Sequence, residues 1–223
     1  GQAGAVRQGA GIDSFSMSGG TIALLEQGDG LDDFFMSGGT ITGAFEDGDR
    51  ARMTGGSIGR VDMKLDNNLF DMSGGRIIGN LVTGFGNDTI LISGTAPIRM
   101  TGGAGADIFA VTEVGGRITI TDFELGVDRL DLSLLGMIRS TSQLRFSPQA
   151  FGIKIFYGNS VIFLMTKDRS MLQANAFNNS LFPITRYAAP NMRTVVHGTL
   201  RNDTLTASRN GSQLSGYGGN DLL

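Results

Sequence analysis

The stretch Met17-Ser-Gly-Gly-Thr-Ile22 decides the fold, because the chain repeats it three more times. The further copies are Met36-Ser-Gly-Gly-Thr-Ile41, Met53-Thr-Gly-Gly-Ser-Ile58 and Met72-Ser-Gly-Gly-Arg-Ile77, followed by a weaker Ile92-Ser-Gly-Thr. Their leading residues are 19, 17, 19 and 20 positions apart. Two residues earlier the chain has Phe15, Phe34, Phe70 and Ile90, although the third copy has Ala51. Self-similarity at a short, nearly fixed period is the signature of a repeat architecture.

A period near 19 residues fits a coil of two short strands and two tight turns, because a strand advances about 3.3 Å per residue. Alternation within each strand gives one inward and one outward face. Stacked coils then align Phe, Met and Ile into interior ladders, in which methionine fills the core. One coil cannot bury its own apolar face, so the stack is the stable unit. We therefore predict an all-β fold, a parallel β-roll or two-sheet β-helix solenoid, over residues 1–111.

Composition excludes several classes of protein. The 223 residues include 35 Gly, more than twice the average share of about 7%, without the period of three that collagen needs. The 17 Asp against 4 Glu favour turns and hard oxygen ligands over helices. The absence of Cys and the single His197 exclude disulfide frameworks, thiolate zinc sites and multi-histidine metal catalysis. A net charge of −3 without a basic cluster argues against nucleic acid, and no apolar run reaches the length of a membrane span.

The second turn of several coils carries a different pattern, G-x-G-x-D. It occurs as Gly9-Ala-Gly11-Ile-Asp13, Gly28-Asp-Gly30-Leu-Asp32, Gly84-Phe-Gly86-Asn-Asp88 and Gly103-Ala-Gly105-Ala-Asp107. Glycine permits positive φ, which lets backbone carbonyls turn outward, and aspartate supplies negative charge. Calcium takes six to eight oxygens at about 2.3–2.6 Å, more than one such loop offers. A calcium ion would therefore lie between loops on successive coils.

These turns resemble the calcium-binding nonapeptides of repeat-in-toxin proteins, above all the C-terminal β-roll of serralysin proteases and related modules of alginate epimerases. The resemblance implies calcium sites shared by loops one coil apart. Three pairs have that spacing: Asp13 with Asp32, Asp88 with Asp107, and Asp203 with Asp221. The implied metal residues are these six aspartates with Gly9, Gly11, Gly28, Gly30, Gly84, Gly86, Gly103 and Gly105.

Two features of the turns leave alternatives open. The middle copies depart from the pattern, because the third is shortened and Asn68 holds the aspartate position of the fourth. We expect no strong calcium site there. The aspartates of the other turns would alternatively form Asx turns without holding an ion.

The segment Arg117-Ile-Thr-Ile-Thr-Asp-Phe-Glu-Leu-Gly-Val-Asp-Arg-Leu-Asp-Leu-Ser133 is similar to the one that closes the roll in serralysin-like proteins. Asp122 and Asp128 match acidic positions of that segment, either as one more calcium clamp or as turn caps. Two apolar runs joined at Gly158-Asn159 predict a hairpin over 153–165. Asp168 is expected to N-cap a short helix through Met171, Leu172 and Phe177. The resemblance implies that residues 112–178 cap the open end of the roll.

The remaining sequence predicts a linker over 179–193 and the start of a second repeat-in-toxin array over 194–223. Gly198-Thr-Leu-Arg-Asn-Asp-Thr-Leu205 and Gly216-Tyr-Gly-Gly-Asn-Asp-Leu222 open that array. The chain lacks an initial Met and ends inside a repeat, which indicates a piece of a longer protein. His197 at the start of the array has no second His or Cys to share a metal.

The resemblance implies a non-enzymatic, calcium-binding segment of a larger secreted protein of bacterial type. Such arrays fold on calcium after type I secretion, at an extracellular or cell-surface location, with a structural or adhesive role. Calcium ions, the type I secretion machinery and an extracellular polysaccharide or cell-surface partner are the expected partners. Two alternatives stay open: an accessory module or part of a polysaccharide-modifying epimerase or lyase, and an autotransporter-like adhesin passenger. Outward polar residues such as Asp33, Asp62 and Asp71 share no column, which disfavours catalysis.

Overall fold

The computed structural model describes residues 1–93, 96–112 and 115–183, and the backbone of two short strands, 194–197 and 212–215. The chain divides into two units, Gly1–Ala188 and Ala189–Leu223. In the second unit, the strands Thr194–His197 and Ser212–Ser215 pair in parallel, 18 residues apart in sequence. The sequence-predicted pair Asp203 and Asp221 lies outside the described residues.

The described part of the first unit contains 16 strands. They are β1 (Gln2–Arg7), β2 (Ser14–Met17), β3 (Thr21–Glu26), β4 (Asp33–Met36), β5 (Thr40–Glu46), β6 (Arg50–Asp62), β7 (Leu69–Ile77), β8 (Asn80–Phe85), β9 (Thr89–Ile92), β10 (Ile98–Ala104), β11 (Ile108–Val111), β12 (Arg117–Phe123), β13 (Arg129–Asp131), β14 (Arg145–Gln149), β15 (Gly152–Tyr157) and β16 (Ser160–Thr166).

The strands β1 to β13 pair in parallel, coil upon coil, in a solenoid of about seven turns. One face stacks β2, β4, β6, β7, β9, β11 and β13, and the other stacks β1, β3, β5, β6, β8, β10 and β12. Long β6 contributes to both faces. The register joins equivalent residues of successive coils, such as Phe15 with Phe34 and Met17 with Met36. The predicted all-β parallel solenoid is confirmed, and β12 and β13 extend it past residue 111.

The interior ladders form one apolar core. Phe34, Met36, Ile41, Met53 and Phe70 are each 0% exposed. Ala51 replaces the bulky side chain in the third coil and is fully buried as well. The methionine column therefore fills the core, as the sequence predicts.

The Ser-Gly-Gly turns form one corner of the roll, and methionine methyl groups close it. A Cβ added at Gly39 would lie 2.7 Å from Met17 Cε, and one at Gly56 would lie 2.6 Å from Met36 Cε. These two glycines also have φ of +90° and +87°, a region that L side chains rarely adopt. The corner is sealed by apolar contact between each methionine and the glycine of the next coil.

An antiparallel hairpin caps the second face of the roll. Strand β16 pairs in parallel with β12, Ile118 opposite Ile162, and β15 and β14 follow in antiparallel order. The hairpin predicted over 153–165 is thus present, with Gly158 and Asn159 at its turn. Strand β14 was not predicted, because Pro148 interrupts its pattern; it is tolerated on an edge strand.

The short helix of the cap differs from the prediction. In the described part of the chain, the helical residues are three 3-10 turns at Thr141–Gln143, Ala174–Ala176 and Asn179–Leu181. Asp168 does not N-cap a helix, because its Oδ1 accepts the nearby Ser170 N–H at 2.9 Å in a local turn. Gln173 precedes the middle 3-10 turn instead.

The first residues of the predicted linker are packed. Leu181 is buried, and its carbonyl accepts the Leu132 N–H at 2.8 Å beside β13. The segment Asn179–Leu181 therefore covers the end of the first face.

Candidate functional site

The G-x-G-x-D turns form the opposite corner, where successive loops lie in direct contact. A Cβ added at Gly30 would collide with the Gly11 carbonyl oxygen, and one at Gly105 with that of Gly86. Gly30 has φ of +149° and Gly105 has φ of +134°. Steric space and backbone conformation both demand glycine at these positions. The result is a row of closely stacked peptide carbonyls along this corner.

The last residue of each turn has a buried or half-buried side chain, and the seven of them form a ladder along the corner. Its members, one per coil, are Asp13, Asp32, Asp49, Asn68, Asp88, Asp107 and Asp128. An oxygen of each ladder aspartate after Asp13 accepts the backbone N–H of the ladder residue one coil earlier. These bonds measure 2.7 Å for Asp32, 2.7 Å for Asp49, 2.7 Å for Asp88, 3.0 Å for Asp107 and 3.1 Å for Asp128.

The second carboxylate oxygen of several ladder residues has no hydrogen-bond donor. This holds for Oδ2 of Asp13, Asp32 and Asp88, all of which are shielded from solvent. Asp32 and Asp88 are 0% exposed as whole residues. A buried, unpaired carboxylate oxygen is costly unless a proton or a cation neutralises it. The ladder therefore presents negative charge that lacks a partner in the protein.

Burial also changes the proton affinity of these groups. It raises the pKa of Asp88 to about 6, although the Asn68 N–H bonded to its Oδ1 opposes the shift. It raises the pKa of Asp107 to about 6 as well, although the Asp88 N–H opposes the shift. Burial likewise raises the pKa of Asp32 and Asp49 above the ordinary value. At neutral pH the carboxyls of Asp88 and Asp107 are therefore ionised at an energetic cost to the fold.

The structure brings together the aspartates that the sequence pairs. Asp13 and Asp32 occupy adjacent coils, as do Asp88 and Asp107. Sequence reasoning missed Asp49, which completes the ladder in the shortened third coil. The sequence signal for Asp49 is Asp47-Gly48-Asp49, a shortened turn with one glycine where the other copies have two.

Asp122 and Asp128 have both oxygens engaged by backbone amides. Asp122 accepts the N–H groups of Gly102 and Gly103 at 3.1 and 2.7 Å. Asp128 accepts those of Asp107 and Glu124 at 3.1 and 2.8 Å. These contacts are those of turn caps, while a calcium role for either residue stays a prediction.

The donor set of this corner suits a hard cation. Residues 1–93, 96–112 and 115–183 contain no group of three or more His, Cys, Asp or Glu side chains arranged to hold a metal by themselves. A bound ion would therefore need backbone oxygens as well as carboxylates. The carbonyl oxygens of Gly84 and Gly86 lie against Gly103 and Gly105 of the next loop. Asp88 ends the turn that contains Gly84 and Gly86, and its Oδ2 is unpaired. An all-oxygen set of this kind fits calcium and not a soft transition metal.

Comparison with protein families matches residues 42–170 to the model described as peptidase M10 serralysin C terminal. The matched stretch begins in β5 and includes the third to seventh ladder residues and the hairpin. No curated protein and no solved structure matched the chain. Among the residues that the structure describes, no helix has the length and apolar character to cross a membrane.

Proposed function

Because this chain belongs to the serralysin C-terminal family of peptidase M10, we propose that it is a calcium-binding β-roll segment of a larger secreted protein. The matched region of that family is the non-catalytic repeat region, so the role proposed for this chain is structural or adhesive and not enzymatic. One observation carries the proposal: the fully buried Oδ2 atoms of Asp32 and Asp88 lack partners in turns where only glycine fits.

The proposed ligands lie on loops one coil apart. Asp13 and Asp32 would hold one ion with carbonyls of the turns at Gly9–Gly11 and Gly28–Gly30, and Asp88 and Asp107 would hold another. The ion supplies positive charge that offsets the buried carboxylates. The protein anchors the carboxylates of Asp32 and Asp88, because a backbone N–H bond fixes one oxygen of each and leaves the other unpaired.

Calcium dependence would link this architecture to secretion. At low cytosolic calcium the ladder carboxylates repel one another, so the roll would be loosened during export by a type I machinery. Millimolar calcium outside the cell would then complete the fold at its extracellular or cell-surface location. An extracellular polysaccharide or cell-surface ligand is the partner that we propose for this location.

Thermal melts with calcium and with chelator test the proposal. At 1 mM calcium and a Kd of about 0.1 mM, each site adds about 1.4 kcal/mol by mass action. Two sites in the first unit would then raise the Tm by about 5–10 °C. Magnesium at the same concentration is the matched control, because it prefers a smaller octahedral site and should give a smaller shift. A Tm that chelator leaves unchanged would refute calcium binding by these turns.

A further inference from the structure

The fourth turn of the ladder corner differs from the fifth at every defining position of the G-x-G-x-D pattern. It reads Lys64-Leu-Asp-Asn-Asn68 where the fifth reads Gly84-Phe-Gly-Asn-Asp88. The chain nevertheless keeps the glycine-type backbone there, with φ of +66° at Lys64 and +70° at Asp66. L side chains rarely adopt this region, so the turn retains the loop geometry after losing both glycines and the carboxylate.

The ammonium group of Lys64 lies among the acidic oxygens of the third turn. Its Nζ is 3.4 Å from Asp47 Oδ2 and 3.6 Å from Glu46 Oε2. Burial lowers the pKa of Lys64, but the charges of Asp47 and Glu46 outweigh it, so that the pKa lies above its ordinary value. A fixed positive charge thus lies on the corner at which the flanking turns have unpaired carboxylates.

The amide of Asn68 supplies hydrogen-bond donors inside the same turn. Its Nδ2 donates to the carbonyls of Leu65 at 2.8 Å and Thr83 at 3.0 Å, with a longer contact to Asp66 at 3.4 Å. Asn68 is 2% exposed. Carbonyl oxygens that a cation would attract are therefore already bonded to a side chain of the protein.

The use of lysine in this chain supports the same conclusion. The sequence has three Lys against 15 Arg, and two of the three lie on the ladder corner. The second is Lys167, whose Nζ is 3.5 Å from the Gly103 carbonyl and 3.0 Å from Glu124 Oε2 at the capped end. An ammonium is a compact point charge that oxygens can surround, whereas a guanidinium is a planar fork.

We propose that Lys64 and Asn68 take the place of a calcium ion in the third and fourth turns. Residues 46–68 then form a calcium-independent segment between two calcium-binding arrays, one at Asp13 and Asp32 and one at Asp88 and Asp107. The existence of those flanking arrays rests on the function proposed above. The central segment keeps its structure when calcium is removed, and calcium completes the roll on either side of it.

Hydrogen exchange of the whole chain, in millimolar calcium and in chelator, tests this division. Amides of 84–107 should exchange about tenfold faster in chelator, which corresponds to about 1.4 kcal/mol. Amides of 46–68 should change by less than about twofold in the same comparison. An equal calcium response in the two segments overturns the proposal.

Two lysine variants separate this proposal from the calcium hypothesis. In chelator, Lys64→Met should speed exchange within 46–68 by about fivefold, because Asp47 and Glu46 lose their cation. Lys154→Met is the matched control, since Lys154 lies over the Phe163 ring in the hairpin, 5.3 Å from its centroid. If the two variants exchange alike within 46–68, Lys64 has no such role. A chain that binds no calcium would refute the proposed function, yet this contrast in chelator would still decide the role of Lys64.

A gain-of-site variant provides the reciprocal test. Lys64→Gly combined with Asn68→Asp restores the first glycine and the carboxylate of the pattern. The variant should bind one more calcium ion than the parent chain, measured by equilibrium dialysis, and exchange in 46–68 should become calcium-dependent. An unchanged stoichiometry in a folded variant would overturn the proposal that these two side chains replace the ion.

Discussion

The two corners of the roll are built from the same coils but are closed by different chemistry. At the Ser-Gly-Gly corner, the methyl of Met36 fills the space beside Gly56. Within the described part of that corner, no buried side-chain oxygen or nitrogen lacks a hydrogen-bond partner. At the G-x-G-x-D corner, the carboxylate of Asp88 fixes the preceding coil by a 2.7 Å bond and keeps one oxygen unpaired. One corner is therefore complete within the protein, whereas the other requires a cation or a proton. Glycine makes both corners compact, and the side chain beside it decides whether the corner needs an ion.

The largest effect should come from adding a methyl group where loops of the ladder corner touch. Gly105→Ala places a Cβ against the Gly86 carbonyl and strains a φ of +134°. We expect a loss of about 3 kcal/mol in the free energy of unfolding, measured by urea denaturation in calcium. The control is Gly19→Ala at the other corner, where nothing lies within 4 Å of the added atom. It should cost less than about 0.5 kcal/mol, and equal losses would contradict the close stacking of the ladder turns.

A smaller difference in stability is expected between alanine variants of two aspartates, one buried in the ladder and one paired with an arginine. Asp88→Ala removes a buried acceptor of the Asn68 N–H and a proposed calcium ligand. In calcium it should cost about 2 kcal/mol and reduce the response to chelator. Asp71→Ala removes a carboxylate that faces outward and pairs with Arg52 at 3.5 Å, which should cost about 0.5 kcal/mol. Melting temperatures that respond equally to chelator in both variants would show that Asp88 is not a calcium ligand.

The repeat allowed much of the roll to be predicted from the sequence. Phe34 and Met36 recur at a fixed period and alternate with outward residues, so their column and inward direction follow directly. The hairpin was predictable because Gly158-Asn159 separates two apolar runs. The place of Asp49 in the ladder was not predictable, because the third copy is two residues shorter and its aspartate falls out of phase with the pattern. Strand β14 escaped prediction since Pro148 is tolerated at an edge that the sequence does not identify.

Contacts between coils were beyond the reach of sequence patterns. The acceptance of a backbone N–H by Asp107 depends on the register of two loops 19 residues apart. The pairing of Lys64 with Asp47 requires the same register across a shortened coil. Asn68 is visible in the sequence as a departure from aspartate, but its donation to the Thr83 carbonyl is not. The spacing of the repeats identifies which residues share a column, whereas the stacking of the coils determines the hydrogen-bond or ion-pair partner of each residue.

The last expected effect is a pH dependence in the absence of calcium. The folded-state pKa values of Asp88 and Asp107 are raised to about 6, whereas their ordinary value is 3.8. Between these values the folded chain binds more protons than the unfolded chain, so these groups make stability fall as pH rises from about 4 to about 6. In chelator, the Tm at pH 5 should therefore exceed the Tm at pH 7.5 by several degrees.

Calcium should reverse this trend, because it binds the ionised carboxylates that protons otherwise neutralise. The Tm increase caused by calcium should be larger at pH 7.5 than at pH 5. Asp88→Asn combined with Asp107→Asn should flatten the pH dependence in chelator, since an amide does not titrate in this range. Methionine methyls do not titrate either, so the Ser-Gly-Gly corner contributes nothing to the slope. A Tm in chelator that rises from pH 5 to pH 7.5 would show that the ladder carboxyls are not the groups that make this corner depend on a cation.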